Sequence, residues 1–348
     1  MNITIARKRK TIFIILLIIY AILVVVATSL GAATIKPYTV LEAILKKIPL
    51  FGHYINGEVS QTELTIIFRV RMPRIIMASL VGIGLSVVGA SFQSLFKNPM
   101  ADPYVLGISS GAALGAAFAI VLKLPSAGAS LSVVTISAFI GAVVTTIFVY
   151  NIAQVRGRVT TTNLLLAGCA VSFLMSSMIS IIMVFNQEEV NKIVFWMMGS
   201  FNASSFKSIY IVAPVVLVGT VVIYFFYRDF NLMLTGEESA KSLGTDTEKL
   251  KKLIILISSM IIAVSVAFSG IIGFVGFLVP HIVRILLGPN NKLVIPFSAI
   301  GGAIFLLISD TIARTMFAPA ELPVGSITAL IGAPYFIFLL VRMKKRGE

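Results

Sequence analysis

The sequence predicts an all-α membrane protein, a polytopic bundle of about ten transmembrane helices. Hydrophobic residues make up 58% of the chain and charged residues only 12%, and the mean hydropathy is +1.01. Soluble domains carry about 25% charged residues. Uncharged runs of about 20 residues, the length needed to cross a bilayer, recur along the chain. We therefore expect residues 1–348 to form a single transmembrane domain.

The uncharged runs give the helices in order. Residues 11–35 follow the basic segment RKRK and are too long for the apolar part of a signal peptide, so we interpret them as the first transmembrane helix. The run 253–283 is too long for one span and is interrupted by SGIIGFVG at 269–276, which predicts two short helices, the second continuing past Arg284. The other runs are 75–96, 103–122, 124–155, 159–187, 208–227, 293–309 and 322–341. The expected total is ten.

The distribution of positive charge predicts the orientation. An even number of spans places both termini on one side, and cytoplasmic segments of membrane proteins are enriched in Lys and Arg. Basic N- and C-terminal segments therefore predict cytoplasmic termini in the cytoplasmic membrane of a bacterium or archaeon. The net charge of +14 is explained by this asymmetry, and no nucleic-acid partner is expected. Residues 228–252 become the longest cytoplasmic loop, while Arg69, Arg71 and Arg74 lie outside.

Two predicted helices carry small residues at every fourth position, a pattern that lets helices pack closely in lipid. The first series is Ala78, Gly82, Ser86, Ala90 and Ser94, and the second is Gly107, Gly111, Gly115 and Ala119. We interpret both as helix-packing faces of a compact bundle.

The loop 228–252 predicts two short helices that meet at a glycine turn. Glu237 and Glu238 occupy the first turn of LTGEESAKSLG, where negative charge favours the helix dipole. Gly244 is a natural C-cap, and Asp246 or the neighbouring threonine can cap TDTEKLKK. Docking of a cytoplasmic partner and a solvated connector both fit this pattern.

Enzymatic and metal chemistry have little support. The motif GISSG at 107–111 matches the nucleophile elbow of serine hydrolases, but here it opens a transmembrane helix, where Gly107, Ser109 and Ser110 are expected to form the cap. The two histidines are His53 and His281. We expect no catalytic residue in this chain.

No metal site is expected either. A lone histidine does not make a zinc site, which needs three or four ligands. We expect the His281 ring to be hydrogen-bonded at a kinked helix start after Pro280. The single cysteine, Cys169, supports neither a disulfide nor a Cys-based metal site.

The energy source for any transport is expected outside this chain. The sequence lacks the G-x-x-x-x-G-K-[ST] pattern of a phosphate-binding loop. Ion-coupled transporters usually place carboxylates within the membrane, and here only Asp310 lies near a span, with Arg314 one turn away as its expected partner. An ion-coupled secondary transporter remains the less favoured alternative.

A resemblance to a known family adds to this interpretation. The spacing G-x-x-x-A-x-x-L-G at Gly236, Ala240, Leu243 and Gly244 resembles the coupling loop of type II ABC importer permeases, the FecCD-type family that carries iron–siderophore complexes, haem and vitamin B12. Further segments resemble signatures of that family in its order: RMPR (71–74), GASFQSLFKNPMADPYVLGISSGAALGA (89–116), WMMGSF (196–201), SGIIGFVGFLVPHIVR (269–284), DTIAR (310–314) and ELPVGSITALIGAPYFIFLL (321–340). Residues 36–64 and the first helix have no specific match.

The resemblance implies a homodimer of ten-helix subunits in the membrane lipid, with a translocation path on the two-fold axis. It also implies two cytoplasmic ATPase subunits, which would hold ATP and Mg, and an extracytoplasmic substrate-binding protein. This chain itself would bind no cofactor. The implied ATPase contacts are Gly236, Glu237, Glu238, Ala240, Lys241, Leu243 and Gly244. The implied docking residues for the binding protein are Arg71, Arg74 and Arg314, although arginines at a membrane edge also anchor to lipid headgroups.

The cargo expected from the resemblance is an iron complex, a siderophore or haem. Cobalamin, or an oxyanion such as molybdate, is the alternative within the family. The helix around 160–186 is a candidate wall of the path through Ser172, Ser176 and Ser180, although serines at this spacing serve equally well in helix–helix contacts.

Overall fold

The computed structural model describes residues 3–31, 33–47, 59–123, 132–155 and 158–346. These residues form an almost entirely helical bundle with one two-stranded antiparallel hairpin, Gln154–Val155 (β1) and Arg158–Val159 (β2). Within these described ranges, seven helices are long and apolar enough to cross a membrane, and three shorter apolar helices accompany them. Together these match the ten predicted helices, and the predicted fold class is confirmed.

The helices follow one another as α1 (Ile3–Ser29), α2 (Pro37–Lys46), α3 (Gln61–Thr65), α4 (Met72–Leu95), α5 (Ile108–Val121), α6 (Val133–Ala153), α7 (Thr161–Phe185), α8 (Val190–Met197), α9 (Phe206–Phe225), α10 (Tyr227–Thr235), α11 (Glu237–Ser242), α12 (Thr247–Ser269), α13 (Val275–Leu287), α14 (Asn291–Thr315) and α15 (Val324–Arg346). A π-helical turn, Ile66–Arg71, joins α3 to α4. Short 3₁₀ turns lie at Pro103–Leu106 and Gln187–Glu189.

Helix α4 is the centre of the bundle, and nearly all its residues are buried. The small residues predicted from the sequence lie where it meets its neighbours. A Cβ added to Gly82 would collide with the backbone carbonyl of Gly302 on α14. Likewise, Gly111 and Gly115 of α5 lie against the backbone of α6 at Gly141 and Ser137. Close backbone approach therefore sets the core, as expected for helices packing in lipid.

The predicted interruption near 269–276 is present. Helix α12 ends at Ser269, and α13 begins at Val275 after a segment in which Gly270 and Phe274 both have a φ of 68°. With 13 residues, α13 is about 20 Å long, whereas the hydrocarbon core is about 30 Å thick. Helix α13 therefore begins inside the bundle, and its first residues contact α15, where Phe274 lies against Gly332.

The bundle has two ends, which we name by their contents. The loop face carries α10, α11 and the β1–β2 hairpin, and the arginine face carries Arg71, Arg74 and Arg314. The carbonyls at the end of α1 contact Arg71 and Arg314, and α15 begins beside Gly199. Helix α1 therefore begins, and α15 ends, at the loop face. His53, residues 124–131 and residues 156–157 lie outside the described residues.

The predicted pair of short loop helices is only partly what forms. The first is α11, but the second is the start of the long helix α12, whose N-cap is Asp246. Asp246 accepts a hydrogen bond from the backbone N–H of Lys249. The capping signal was correct, and the helix continues because the charged turn leads directly into the apolar run 253–269. In addition, α10 precedes the loop helix and was not predicted.

Candidate functional site

The loop helix α11 is held between two glycines whose backbone conformations other residues rarely adopt. Gly236 separates α10 from α11 with a φ of 133°, and Gly244 follows α11 with a φ of 93°. The backbone N–H of Thr245 donates to the carbonyl of Ala240 at 3.0 Å, which closes the helix end. The resulting turn buries Ala240 completely and leaves Leu243 64% exposed. An apolar side chain is thus presented to solvent at the loop face.

One ion pair fixes α11 to α12. Lys251 Nζ lies 2.7 Å from Glu237 Oε2 and also donates to the carbonyl of Val159 in β2 at 3.3 Å. Lys241, one turn along α11, lies 3.2 Å from the other oxygen of Glu237. Lys251 is only 4% exposed. The loop helix, α12 and the hairpin therefore meet at a single lysine.

The charge state of Glu237 follows from these contacts. Partial burial raises the pKa of its carboxyl, but hydrogen bonds and charges from Lys251 and Lys241 outweigh burial, so the pKa falls below its ordinary value of 4.5. The carboxylate is therefore ionised at neutral pH, and the anchor is intact there. In contrast, the side chain of Glu238 is exposed on the outer side of α11.

At the arginine face, Arg74 is the centre of a buried ion cluster. Its guanidinium lies 2.9 Å from Asp310 and 2.9 Å from Glu321, and it donates to Asn202 Oδ1 at 2.6 Å. Asp310 is fully buried, Arg74 is 8% exposed and Glu321 is exposed. The partner predicted for Asp310, Arg314, lies farther away at 3.8 Å. Arg74 is therefore the main counter-ion of Asp310.

Arg71 and Arg314 hold the end of α1. Arg71 donates to the carbonyls of Thr28 and Ser29 at 2.6 and 3.0 Å, and Arg314 donates to the carbonyl of Leu30 at 2.6 Å. Both guanidiniums satisfy carbonyls that a helix end leaves free. Each of these arginines is 6% exposed, so both are engaged within the chain, whereas the neighbouring Arg69 is exposed.

The predicted path serines lie along one stripe of α7. Ser176 and Ser180 are exposed and Ser172 is half-buried. Ser180 donates to the carbonyl of Ser176 at 3.0 Å, within its own helix. The stripe thus presents polar atoms on an open face of this single chain. Neither Ser176 nor Ser180 forms a side-chain hydrogen bond to another described helix.

The GISSG motif and His281, which the sequence analysis considered for chemistry, both lie in helix-packing environments. In GISSG, Gly107 is the N-cap of α5 with a φ of 70°, as expected, whereas no side-chain hydrogen bond caps the helix, so the expected contribution of Ser109 and Ser110 to the cap does not form. His281 lies within α13 rather than at its start, and neither ring nitrogen has a hydrogen-bond partner in the structure. The expected hydrogen bond to His281 was wrong; its ring instead packs between Phe277 and Tyr335, at 6.2 and 6.3 Å.

Among the described residues, no three His, Cys, Asp or Glu side chains are grouped closely enough to hold a metal ion. Cys169 is free and exposed on α7. What the described geometry does provide is a membrane bundle with an exposed, anchored helix at one end and a buried ion cluster at the other.

Comparison with known proteins shows which family this bundle belongs to. The model of the FecCD transport family matches residues 16–342. The chain belongs to the FecCD transport family. It is 42% identical over 286 residues to the cobalamin import system permease protein BtuC of Halobacterium salinarum, covering 81% of this chain and 75% of that protein. It is 36% identical over 334 residues to the Fe(3+)-citrate import system permease protein YfmD of Bacillus subtilis, covering 96% and 95%.

The solved structures agree with this assignment. A metal-chelate type ABC transporter in an inward-facing conformation superposes with a TM-score of 0.82 and 29% identity, covering 96% of this chain and 99% of that one. The protein is therefore a multi-pass ABC importer permease, a transport component of the type II fold.

Two long-range pairings, one at each face, escaped the sequence interpretation. The role of Lys251 follows from its contact with Glu237, which lies 14 positions earlier in the chain and on the other side of the Gly244 turn. Arg74 and Asp310 are 236 positions apart. Neither pairing has a local pattern, although the rarity of ionisable residues near spans is a signal that each needs a partner.

Proposed function

We propose that this chain is the homodimeric membrane subunit of an importer that moves a metal chelate inward, driven by a separate ATPase. The observation that carries the proposal is α11, an exposed helix with an outward-facing Leu243, fixed to the bundle by Glu237 and Lys251. The family match over most of the chain supports treating residues 1–348 as one permease domain, with 228–252 as its coupling loop.

In the proposed mechanism, each of two ATPase subunits binds α11 of one protomer at the cytoplasmic loop face. Gly236 and Gly244 give α11 its orientation, and Leu243, Glu238 and Lys241 form the contact, with Ala240 packing inward. Closure of the ATPases on ATP and Mg moves α11, and the Lys251–Glu237 ion pair carries that movement to α12. ATP shifts the equilibrium because it binds one conformation of the complex more tightly than the other.

The homodimer is supported by the exposure of α7. Only 22% of the most apolar 18-residue stretch of α7 is buried within this chain. The serine stripe of α7 also faces outward. Small polar residues on membrane helices are enriched where helices pack against one another. A second copy packed around this face would place Ser172, Ser176 and Ser180 along a shared path on the two-fold axis.

The arginine face is proposed to receive an extracytoplasmic binding protein. The buried positions of Arg71 and Arg314 support a role in shaping this surface, whereas Arg74 is reached through the exposed Glu321. An acidic side chain of the binding protein would replace Glu321 beside Arg74. Docking through Arg71, Arg74 and Arg314 is therefore a proposal in which direct contact falls chiefly to Arg74.

The proposed cargo is an iron complex, because two relatives that each span 96% of this chain are named for ferric citrate. Cobalamin is the second candidate, because the cobalamin permease shares 42% identity. A siderophore, haem and the oxyanion molybdate complete the set to be tested. These ligands are large or strongly solvated, so each needs a wide path such as a dimer axis provides.

The test uses the chain reconstituted in vesicles with the ATPase and binding protein encoded beside it. Uptake and ATP hydrolysis are measured with ferric citrate, a ferric siderophore, haem, cobalamin and molybdate in turn. We expect ATP-dependent uptake of one metal chelate, with faster hydrolysis when the binding protein is loaded. Uptake that persists without the ATPase would contradict the proposal and favour an ion-coupled transporter.

A further inference from the structure

Arg284 is a half-buried charge that neither the fold nor the proposed docking surfaces require. It lies in the last turn of α13, near the loop face. Among the described residues it forms no ion pair, since its donors all reach neutral oxygens. A charged side chain in a membrane helix is costly to bury and usually marks a functional position.

The neutral acceptors on the neighbouring helices come from α4 and α14. The Nη2 group donates to Ser94 Oγ at 2.7 Å, the carbonyl of Ala90 at 2.9 Å and Asn291 Oδ1 at 3.1 Å. The Nε group donates to Gln93 Oε1 at 3.3 Å. Ser94 and Asn291 are fully buried. One guanidinium therefore joins the end of α13 to the end of α4 and the start of α14.

The same hydrogen bonds continue to the helix that precedes the coupling loop. Asn291 donates from its backbone N–H and its side-chain amide to Asn231 Oδ1, at 2.8 and 3.0 Å. Asn231 in turn donates to Asn290 Oδ1 at 3.1 Å. Asn231 is on α10, which leads through Gly236 into α11. We call Arg284, Gln93, Ser94, Asn291 and Asn231 the Arg284 network.

The other end of α13 contacts a helix with a large open face. Phe277 packs edge-to-face on Phe336 of α15 with ring centres 5.3 Å apart. The His281 and Tyr335 rings lie one turn farther along. Helix α15 exposes large apolar residues such as Leu330, at 69%. A displacement of the short helix α13 would therefore be felt directly by α15.

We infer that the Arg284 network transmits movement of the coupling loop to the short helix α13, making Arg284 and Asn231 positioning residues for transport. This rests on the proposed coupling of α11 to an ATPase. Helix α13 is suited to the role because it is short, starts after a break, and is linked to α10 by hydrogen bonds that pass through Asn291. Arginine suits the joint because its planar guanidinium reaches several acceptors at once, which a lysine ammonium does with poorer geometry.

The experiment compares Arg284→Gln, Arg284→Lys and Asn231→Ala with the unaltered chain, each reconstituted with the ATPase and binding protein. The matched control is Arg228→Gln. Arg228 is an exposed arginine on α10, and among the described residues its side chain donates a hydrogen bond only to the neighbouring Tyr227. The measurements are co-purification of the ATPase, ATP hydrolysis, and molecules of cargo taken up per ATP hydrolysed. Asn231 lies outside the membrane helices, so its variant reports even where Arg284→Gln folds poorly.

We expect ATPase binding and basal hydrolysis to persist, while uptake per ATP falls about 5- to 100-fold in Arg284→Gln and Asn231→Ala, the range of ordinary coupling energies. Arg284→Lys is expected to be intermediate and Arg228→Gln unchanged. The double variant should lose little more than either single one, because both interrupt the same network.

A parallel loss of protein, hydrolysis and uptake, with unchanged uptake per ATP, would overturn the inference and leave the network a structural one. Fully additive losses in the double variant would overturn it too. If the unaltered chain shows no ATP-dependent uptake, the proposed function fails and the inference fails with it. If the unaltered chain transports and only the variants behave in one of the two ways above, the inference fails alone, so the two failures are distinguishable.

Discussion

The two faces of this bundle are built in opposite ways. At the arginine face, three buried guanidiniums bind carboxylates, an amide and the carbonyls that end α1. At the loop face, α11 is exposed and reaches the body through the ion pair of Lys251 and Glu237. The first arrangement resists movement, and the second allows one helix to move while remaining attached. Under the proposed mechanism, the loop face is where ATP-driven movement would enter the protein.

The largest expected effect is on the buried ion cluster. Arg74→Leu would leave the carboxylate of Asp310 buried without its main partner, and breaking a buried pair in this way costs about 3–5 kcal/mol. We expect a large drop in thermal unfolding temperature and in yield. Arg69→Leu, five positions earlier and exposed, is the control and should unfold like the unaltered protein. Equal stability of both variants would mean that the arginine face is not the rigid end.

The anchor at the loop face should matter less for stability and more for coupling. Lys251→Met removes the charged hydrogen bond to Glu237, a kind of contact that contributes about 1.5–3 kcal/mol. We expect faster hydrogen exchange in residues 236–244 and weaker retention of the ATPase, with little change in global unfolding. Lys249→Met, which breaks only the exposed pair with Asp246, is the matched control. Unchanged exchange in the Lys251 variant would contradict its role as the anchor and show that other contacts hold α11, such as the hydrogen bond from Thr247 Oγ1 to Glu237 Oε1 at 3.4 Å.

The turn after α11 offers a test of backbone geometry alone. Gly244 and Gly273 both have open space where a Cβ would lie, but only Gly244 has a positive φ. Gly244→Ala should therefore cost about 1–2 kcal/mol locally and reduce ATPase binding, whereas Gly273→Ala should do neither. Gly244→Pro, whose ring fixes a negative φ, should abolish coupling. Transport and stimulated hydrolysis that both survive the proline would contradict the role assigned to this loop.

The smallest expected effect is a pH dependence of the anchor. Because the folded-state pKa of Glu237 is below 4.5, its ion pair stabilises the loop fully above that pH, and the stabilisation is lost as pH falls through the lowered pKa. Hydrogen exchange in α11, corrected for its intrinsic pH dependence, should thus be constant from neutral pH to about 5 and increase below 4.5. Glu237→Gln should remove this transition. A transition between pH 6 and 7 would point to another titrating group.

Much of this architecture is visible in the sequence because bilayer thickness dictates helix length. The ten runs, the break before Val275 and the small-residue faces of α4 and α5 are local patterns with a direct physical cause. The loop helix was also predictable, since Gly236 and Gly244 bracket an acidic first turn. What could not be predicted were contacts between distant segments, such as Arg74 with Asp310 and Arg284 with Ser94.

The ionisable residues show why this limit exists. Sequence spacing correctly indicated that Asp310 needs a cation, and it offered Arg314 because that residue is one turn away. The structure places Arg74 closer, since the glycine contacts of α4 and α14 bring their ends together. His281 gave the opposite error, because a polar side chain was expected to find a partner and instead packs between aromatic rings.

The most direct test of the difference between the two faces is site-specific photo-cross-linking in the reconstituted complex. A cross-linking residue is placed at Leu243, 64% exposed on α11, or at Arg69, exposed at the arginine face. We predict that position 243 captures the ATPase and position 69 captures the binding protein, each without the other. Capture of the ATPase from position 69, or its absence from position 243, would contradict the assignment of the loop face as the site where ATP-driven movement enters.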